Sequence, residues 1–289
     1  MLIFHSGGAA RVRSKSGAAS LAMAAVGASK TPRKIIKSGF SGIGSDLVWY
    51  CDPSKWPKTD DAREGQGGSW SVNDKGELVV APPAKKDFWR RTYYRPMLIK
   101  DDGPCLFHIL PLGAVATIGT SFTLDPKKQF DQAGLCVRLD SEHWIKTGIE
   151  VVDGAPRLSV VVTNGYSDWS TQPWPEPRLK VRIHTFGNGS YVIEGAPLSE
   201  SGNAAGSTDA PWSFIRICQL SRGSGVGDDA LAQYPNVSSA FAGDSAPEGS
   251  AWVGVFSCCP EDQEGCTATF HSFTVSEGSD FDHNADGNQ

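Results

Sequence analysis

Residues 148–170 read GIEVVDGAPRLSVVVTNGYSDWS, and the reading of this stretch decides the fold. Two runs, IEVV and RLSVVVT, flank Asp153-Gly154, a dipeptide suited to the left-handed backbone of a tight hairpin turn. In the second run Leu158, Val160 and Val162 share one parity, and Ser159, Val161 and Thr163 share the other. That is the period-2 pattern of a half-buried strand. Immediately upstream, HWIKTGIEVV sets Ile145, Ile149 and Val151 against Trp144, Lys146, Gly148 and Glu150. One step further out, QAGLCVRLD sets Ala133, Leu135, Val137 and Leu139 against Gln132, Cys136, Arg138 and Asp140.

The pattern continues in both directions. RLKVRIHTF opposes Leu179, Val181 and Ile183 to Lys180, Arg182 and His184, and SFIRICQL opposes Ile215 and Ile217 to Phe214, Arg216 and Cys218. AWVGVFSC and ATFHSFTV give two more strands near the end, and SWSVNDKGELVV folds back at Asn73-Asp74-Lys75-Gly76. No amphipathic helix and no internal repeat is evident. Many short strands, each with one apolar face, imply an all-β sandwich of two antiparallel sheets packed face to face.

Composition sets the limits. The chain has 289 residues and a formal net charge of −5. A single all-β unit of roughly 200–250 residues is common, so one domain suffices. Residues 1–45 hold seven Lys/Arg and no Asp/Glu, which leaves 20 basic against 32 acidic side chains in the remainder. An acidic body excludes binding along a phosphate backbone, and no apolar run is long enough to span a bilayer. The expected organisation is a disordered tail or targeting segment over 1–45, a sandwich over 46–278 with a surface insertion at about 221–250, and a disordered end over 279–289. The run Asp282-His283-Asn284-Ala285-Asp286-Gly287 matches the opening of a calcium loop but lacks the closing Glu, so it reads as a polar end. The seven cysteines contain no C-x-x-C pair, and no His lies inside their one cluster, Cys258, Cys259 and Cys266. They read as free thiols of an intracellular, cytoplasmic protein, with organelle delivery through residues 1–45 as the alternative. No metal or cofactor is expected.

Five stretches, DFWRRTYY (87–94), DQAGLCVRLD (131–140), WIKTGIEVVDG (144–154), LSVVVTNGYSDWS (158–170) and GVFSCCP (254–260), occur in this order. Together they resemble a β-sandwich family of the concanavalin A-like lectin/glucanase superfamily, the one that includes the fungal regulation-of-enolase protein. The resemblance covers about residues 69–275 and implies a jelly-roll. It implies no reaction, because none is established for the family.

The polar face therefore carries the functional expectation. Arg138, Lys146, Glu150, Arg182 and Arg216 come from different strands and are expected to gather on one curved sheet. Trp144 and Trp169 would serve as stacking platforms, Glu150, Asp168, Arg138 and Lys146 as polar contacts, and Gln132 and Arg216 as further contacts. Rings beside carboxylates and guanidinium groups suit a sugar, whose C–H face stacks while its hydroxyls bond. The plain alternative is a solvated face with cross-strand ion pairs. Hydrolysis would need two carboxylates across the scissile bond. The strand Lys146-Thr-Gly-Ile-Glu150 offers one acid, with a cation where its partner would stand. Lys146 is expected to keep Glu150 ionised, the reverse of what a general acid requires. The leading expectation is a non-catalytic domain binding a carbohydrate or similar small polar ligand. The alternatives are a protein-interaction module that regulates a metabolic enzyme, and a glycoside hydrolase. Neither nucleic acid nor membrane is an expected partner.

Overall fold

In the computed structural model the described residues are 33–56, 67–199, 211–222, 237–238, 245–261 and 265–283. They belong to one compact unit, Arg33–Gln289. Apart from a 3₁₀ turn at Pro53–Lys55, their regular structure is all strand.

Numbered in chain order, eight strands form the first sheet: β1 (Ile35–Ser38), β3 (Ser69–Val72), β4 (Leu78–Ala81), β8 (Val115–Asp125), β13 (Arg178–Phe186), β14 (Ser190–Ala196), β15 (Ser213–Gln219) and β18 (Thr267–Glu277). They run in the order β15-β14-β13-β8-β18-β4-β3, and β1 also pairs with β18. Seven strands form the second: β2 (Val48–Tyr50), β7 (Cys105–Pro111), β9 (Gln132–Asp140), β10 (His143–Val152), β11 (Ala155–Asn164), β12 (Tyr166–Pro173) and β17 (Ser250–Cys258). Their order is β12-β11-β10-β9-β17-β7-β2. All pairings in both sheets are antiparallel. The residues expected to point inward do so: Leu135, Val137, Ile145, Ile149, Leu158, Val160, Val181 and Ile183 meet in one core between the sheets. The molecule is thus a two-sheet antiparallel sandwich of the jelly-roll class.

A third element changes how the second sheet must be read. β5 (Phe88–Arg90), β6 (Ile99–Asp101) and β16 (Val237–Ser238) form a small sheet, with β16 parallel to β6. It lies across the outer face of the seven-stranded sheet. Phe88 and Trp89 press onto Cys136, Trp144, Val161 and Phe256, which creates a second apolar cluster. A large apolar side chain buried in this way contributes roughly 1.5–3 kcal/mol. β9 is accordingly buried at every position except its last. Gly103 lets this roof settle: a Cβ there would lie 2.4 Å from the Phe88 ring and 2.6 Å from Cys258 Sγ.

Several sequence expectations require correction. The sheet begins before residue 46, because β1 pairs with β18 and Phe40 is buried in the core. The Ile35-Ile36 pair and Phe40 carried that signal inside a basic, acid-free segment. Residues 279–283 are packed rather than loose: Ser279 Oγ lies 2.9 Å from His184 Nδ1, and Phe281 stands beside Phe214. Arg182 and Arg216 belong to the eight-stranded sheet, not to the one holding Arg138 and Glu150. Parity assigns a face within a strand, whereas the chain changes sheets between β12 and β13. In β15 the register shifts opposite Ile193 and Glu194, leaving Ile215 as an extra residue. Such a bulge reverses the alternation. Cys218 therefore packs on the core, while Ile217 is 52% exposed. Of the 221–250 insertion, the described parts are 221–222, 237–238 and 245–250, and the last residue already opens β17. Residues 1–32 and 284–289 lie outside the described set.

Candidate functional site

The outer face of β9 and β10 presents Gln132, Arg138, Trp144, Lys146 and Glu150, as the alternation requires, and the roof determines what each of them does. Asp101 of β6 meets Arg138 in a two-point contact, Oδ1 to Nη1 at 2.6 Å and Oδ2 to Nη2 at 2.9 Å. The guanidinium also stacks on Tyr50, 4.4 Å from its ring centre. Arg138 is 0% exposed, and so is Trp144. Neither is among the residues lining the groove between roof and sheet; together they seat the roof. Asp87, just ahead of β5, takes Lys146 Nζ at 2.9 Å and Gln132 Nε2 at 3.1 Å on the same oxygen, Oδ1. Further along, Arg90 N donates to Ser167 Oγ at 2.9 Å, and Arg91 Nη1 donates to the Gly165 carbonyl at 3.1 Å. Arg90 and Arg91 also pair with Glu142 at the β9–β10 corner. The roof is therefore anchored along the flank of the sheet.

Between roof and sheet an opening remains. Its larger chamber is about 660 Å³ and is lined by Trp89, Thr92, Tyr93, Tyr94, Gln129, Phe130, Val152, Asp153, Ser167, Asp168 and Trp169. That volume falls within the ~300–1,000 Å³ typical of ligand sites. A smaller chamber of about 200 Å³ is lined by Asp87, Leu98, Lys100, Lys146, Glu150, Pro260 and Glu261 together with Trp89, Tyr94, Phe130 and Trp169. The four shared rings make the two chambers one groove, with an aromatic outer part and a charged inner end. The rings meet edge to face: Trp89 lies 5.6 Å from Tyr94 and 6.2 Å from Trp169, and Phe130 lies 6.4 Å from Trp169. Tyr93 and Phe130 hold φ values of +73° and +65°, and Arg91 behind them holds +64°. Non-glycine residues adopt this region only at a cost of order 1–3 kcal/mol and cluster at ligand clamps.

A relay ties the aromatic wall to the charged end. Trp169 Nε1 donates to Ser159 Oγ at 2.8 Å, and the Ser159 hydroxyl donates to Glu150 Oε2 at 2.6 Å. The indole plane is therefore fixed by a carboxylate beneath it. Burial lifts the Glu150 carboxyl above its ordinary range, and the nearby Lys146 ammonium only partly offsets this. Lys146 does favour the ionised form, as expected, but its near partner is Asp87 and desolvation outweighs its pull on Glu150, so the net shift is upward. For Lys146 itself burial opposes the charge, yet Asp87 and Glu150 outweigh it and hold the ammonium above its usual value.

The expected site residues thus separate. Lys146, Glu150 and Trp169 line the inner chamber, and Asp168 and Trp169 line the outer one. Gln132 stands behind Asp87. Arg216 reaches across from β15 to hold Asp168 Oδ2 at 2.9 Å and Ser170 Oγ at 3.0 Å. Sequence reasoning missed Asp87, Trp89, Tyr93, Tyr94, Phe130, Asp153 and Glu261 as lining residues. Asp87, Trp89, Tyr93 and Tyr94 stood in the DFWRRTYY stretch, where acid and rings side by side were the available signal. All five stretches on which the family resemblance rests supply or support a wall of this groove. Among the described residues no group of His, Cys, Asp and Glu is arranged to hold a metal ion.

The fold and groove define an all-β sandwich whose second sheet is roofed to leave an aromatic cleft. The chain belongs to the family described as "Protein of unknown function (DUF1349)", whose model matches residues 66–278. It is similar to "Regulation of enolase protein 1" of Saccharomyces cerevisiae, 42% identical over 116 residues, which are 36% of this chain and 54% of that protein. The chain therefore matches about half the length of this relative. It is also similar to "Uncharacterized protein AN7484" of Emericella nidulans, 30% identical over 173 residues, which are 56% of this chain and 84% of that one. Among solved structures it resembles "a functionally unknown protein from Saccharomyces cerevisiae", with a TM-score of 0.54 and 24% identity over 73% of this chain and 97% of that one. That likeness concerns the fold alone.

Proposed function

We propose that the chain is a non-catalytic binding domain that takes a carbohydrate-like polyol into the roofed groove. The observation that carries this reading is the continuity of the two chambers through Trp89, Tyr94, Phe130 and Trp169, with Lys146, Glu150 and Asp87 at the inner end. Rings suit the C–H faces of a pyranose, and the carboxylates and ammonium supply acceptors and donors for its hydroxyls. Asp168 and Asp153 stand at the outer chamber, where a longer ligand would emerge. Gln132 and Arg216 act from behind by fixing Asp87 and Asp168, and Arg138 and Trp144 by seating the roof. The test is calorimetric titration with neutral and acidic oligosaccharides, preselected on a glycan array. At least one should bind saturably, and Trp169→Ala should weaken it by about tenfold or more, the usual effect of removing a buried aromatic anchor. A panel giving neither heat nor a rise in Tm at millimolar concentration would sink this reading.

A second reading is favoured by the name of the yeast relative at 42% identity, "Regulation of enolase protein 1". On this reading the groove docks a segment of a metabolic enzyme. Purified chain added to enolase should then change its turnover, and Trp169→Ala should lose the effect. An unchanged turnover with no complex on sedimentation would reject it. We place the protein inside the cell. All seven cysteines are unbonded thiols, which supports a reducing compartment.

A further inference from the structure

The outer chamber of the groove has a lining that a plain polyol does not explain. Five of its eleven lining residues are aromatic, and its two charged residues, Asp153 and Asp168, are both acids. The rings do not form a flat platform. Tyr93 meets Tyr94 at 80°, Tyr94 meets Trp89 at 83°, Trp89 meets Trp169 at 87°, and Trp169 meets Phe130 at 70°. Planes that turn through nearly a right angle at each step make the corners of a box. For the C–H face of a sugar a single platform is enough, whereas several ring faces around one space attract a compact organic cation. The acids point to the same chemistry. Arg216 neutralises Asp168 through Oδ2. Asp153 has only a long bond from the Gln129 amide, at 3.3 Å, and among the described residues it forms no ion pair. One carboxylate of the chamber is therefore left for a cation that the ligand brings.

The inner chamber is different in kind. There the acids Asp87, Glu150 and Glu261 stand with the cations Lys100 and Lys146, so the two signs are mixed. Lys146 is 3% exposed, and among the described residues its Nζ donates only to Asp87 Oδ1, while Asp87 Oδ2 accepts no bond. Two N–H donors and a carboxylate oxygen are thus open to hydroxyls. We infer, resting on the reading of the groove as a polyol site, that its ligand is a sugar bearing a free amine. The protonated amine stands among the rings of the outer chamber, beside Asp153 and Asp168, and hydroxyls reach Lys146 and Asp87 within. A lysine side chain of a protein would also fill the aromatic box. It carries no hydroxyls, however, and would leave the buried Lys146 donors unmatched, which costs binding energy.

The experiment is calorimetric titration of the full chain with three β-1,4-linked tetrasaccharides, of glucosamine, N-acetylglucosamine and glucose. Ionic strength is held constant, and the pH lies below the titration of the sugar amine. The glucosamine oligomer should bind about tenfold or more tightly than either of the others, the effect of one cation among ring faces. That preference should vanish once the pH exceeds the titration of its amine. It should also fall several-fold in Asp153→Asn, an exposed position whose φ of +52° asparagine accepts readily. A glucose or N-acetylglucosamine oligomer binding as tightly as the glucosamine one would overturn the amine assignment and leave the polyol reading standing. So would a preference that persists both in an Asp153→Asn variant of native melting temperature and after the amine has lost its proton. Silence from all three removes the inference, and silence from the wider glycan panel as well removes the polyol reading beneath it.

Discussion

The contact between Asp101 and Arg138 is the most direct test of how the roof is held. Asp101→Asn keeps the shape of the side chain and removes its charge. The partner guanidinium is then left with 0% exposure and a neutral amide in place of a carboxylate gripping it at 2.6 and 2.9 Å. Breaking a buried ion pair from one side costs about 3–5 kcal/mol, because the remaining charge stays out of water. For a domain of this size each kcal/mol moves Tm by roughly 2–4 °C, so the variant should melt about 6–20 °C lower. Calorimetry gives the shift, and guanidinium denaturation followed by tryptophan fluorescence gives the free energy. The compensating pair, Asp101→Leu with Arg138→Met, removes both charges and should recover most of the loss, as apolar replacements of buried ion pairs do. A loss below about 1 kcal/mol in Asp101→Asn, the value of an exposed pair, would refute the claim that the roof is part of the core.

Other expectations follow from the same geometry. Burial raises the Glu150 carboxyl, so folding favours its protonated form. That contribution is complete below the unfolded value of ~4.3 and disappears as pH rises through the higher folded value. Glu150→Gln is neutral throughout and still accepts from Ser159, so it should exceed the native chain in stability at pH 7. The advantage should shrink as pH falls toward the unfolded value, and denaturation series across pH that show no advantage at pH 7 would contradict this. A Cβ on Gly148 would stand 1.9 Å from the Ala133 carbonyl, and Gly148→Ala should therefore spread β9 and β10 and cost about 1–3 kcal/mol or more, read by Tm. Burial pushes the thiols of Cys51, Cys105 and Cys258 up, and raises half-buried Cys218 to about 11. A thiol reagent at pH 8 should thus label at most Cys218, and slowly, while the unfolded chain should titrate as seven thiols. Rapid labelling of several sites in the native chain would show that the roof opens readily.

Much of the sandwich was legible in the sequence because alternation reports directly on burial. Leu135, Val137, Ile149, Val160 and Val181 each fell on the side the core occupies. Two kinds of information were not local. The first is which sheet a strand joins: Arg182 and Arg138 have the same local pattern yet face opposite sides of the molecule. The second is what covers a face. Arg138 and Trp144 looked like the wall of an open groove, and only contact with residues 87–101, far away in the chain, makes them interior. The groove was half legible for the same reason. Lys146, Glu150, Asp168 and Trp169 lie on strands whose register could be read, whereas Asp87, Trp89, Tyr93, Tyr94 and Phe130 lie on the roof and on a loop. β1 was lost because composition averaged Ile35, Ile36 and Phe40 into a basic segment.

The roof makes the seven-stranded sheet the middle of three layers, and this has a consequence for tolerance to change. Strands in a two-layer sandwich have a permissive side, where a polar substitution meets only water. β9 and the first eight residues of β10 have none, since both of their surfaces press on packed neighbours. A saturation library should therefore show a comb of sensitive and less sensitive positions along β13 from Arg178 to Ile183, but an unbroken band of sensitivity from Gln132 to Leu139 and from His143 to Glu150.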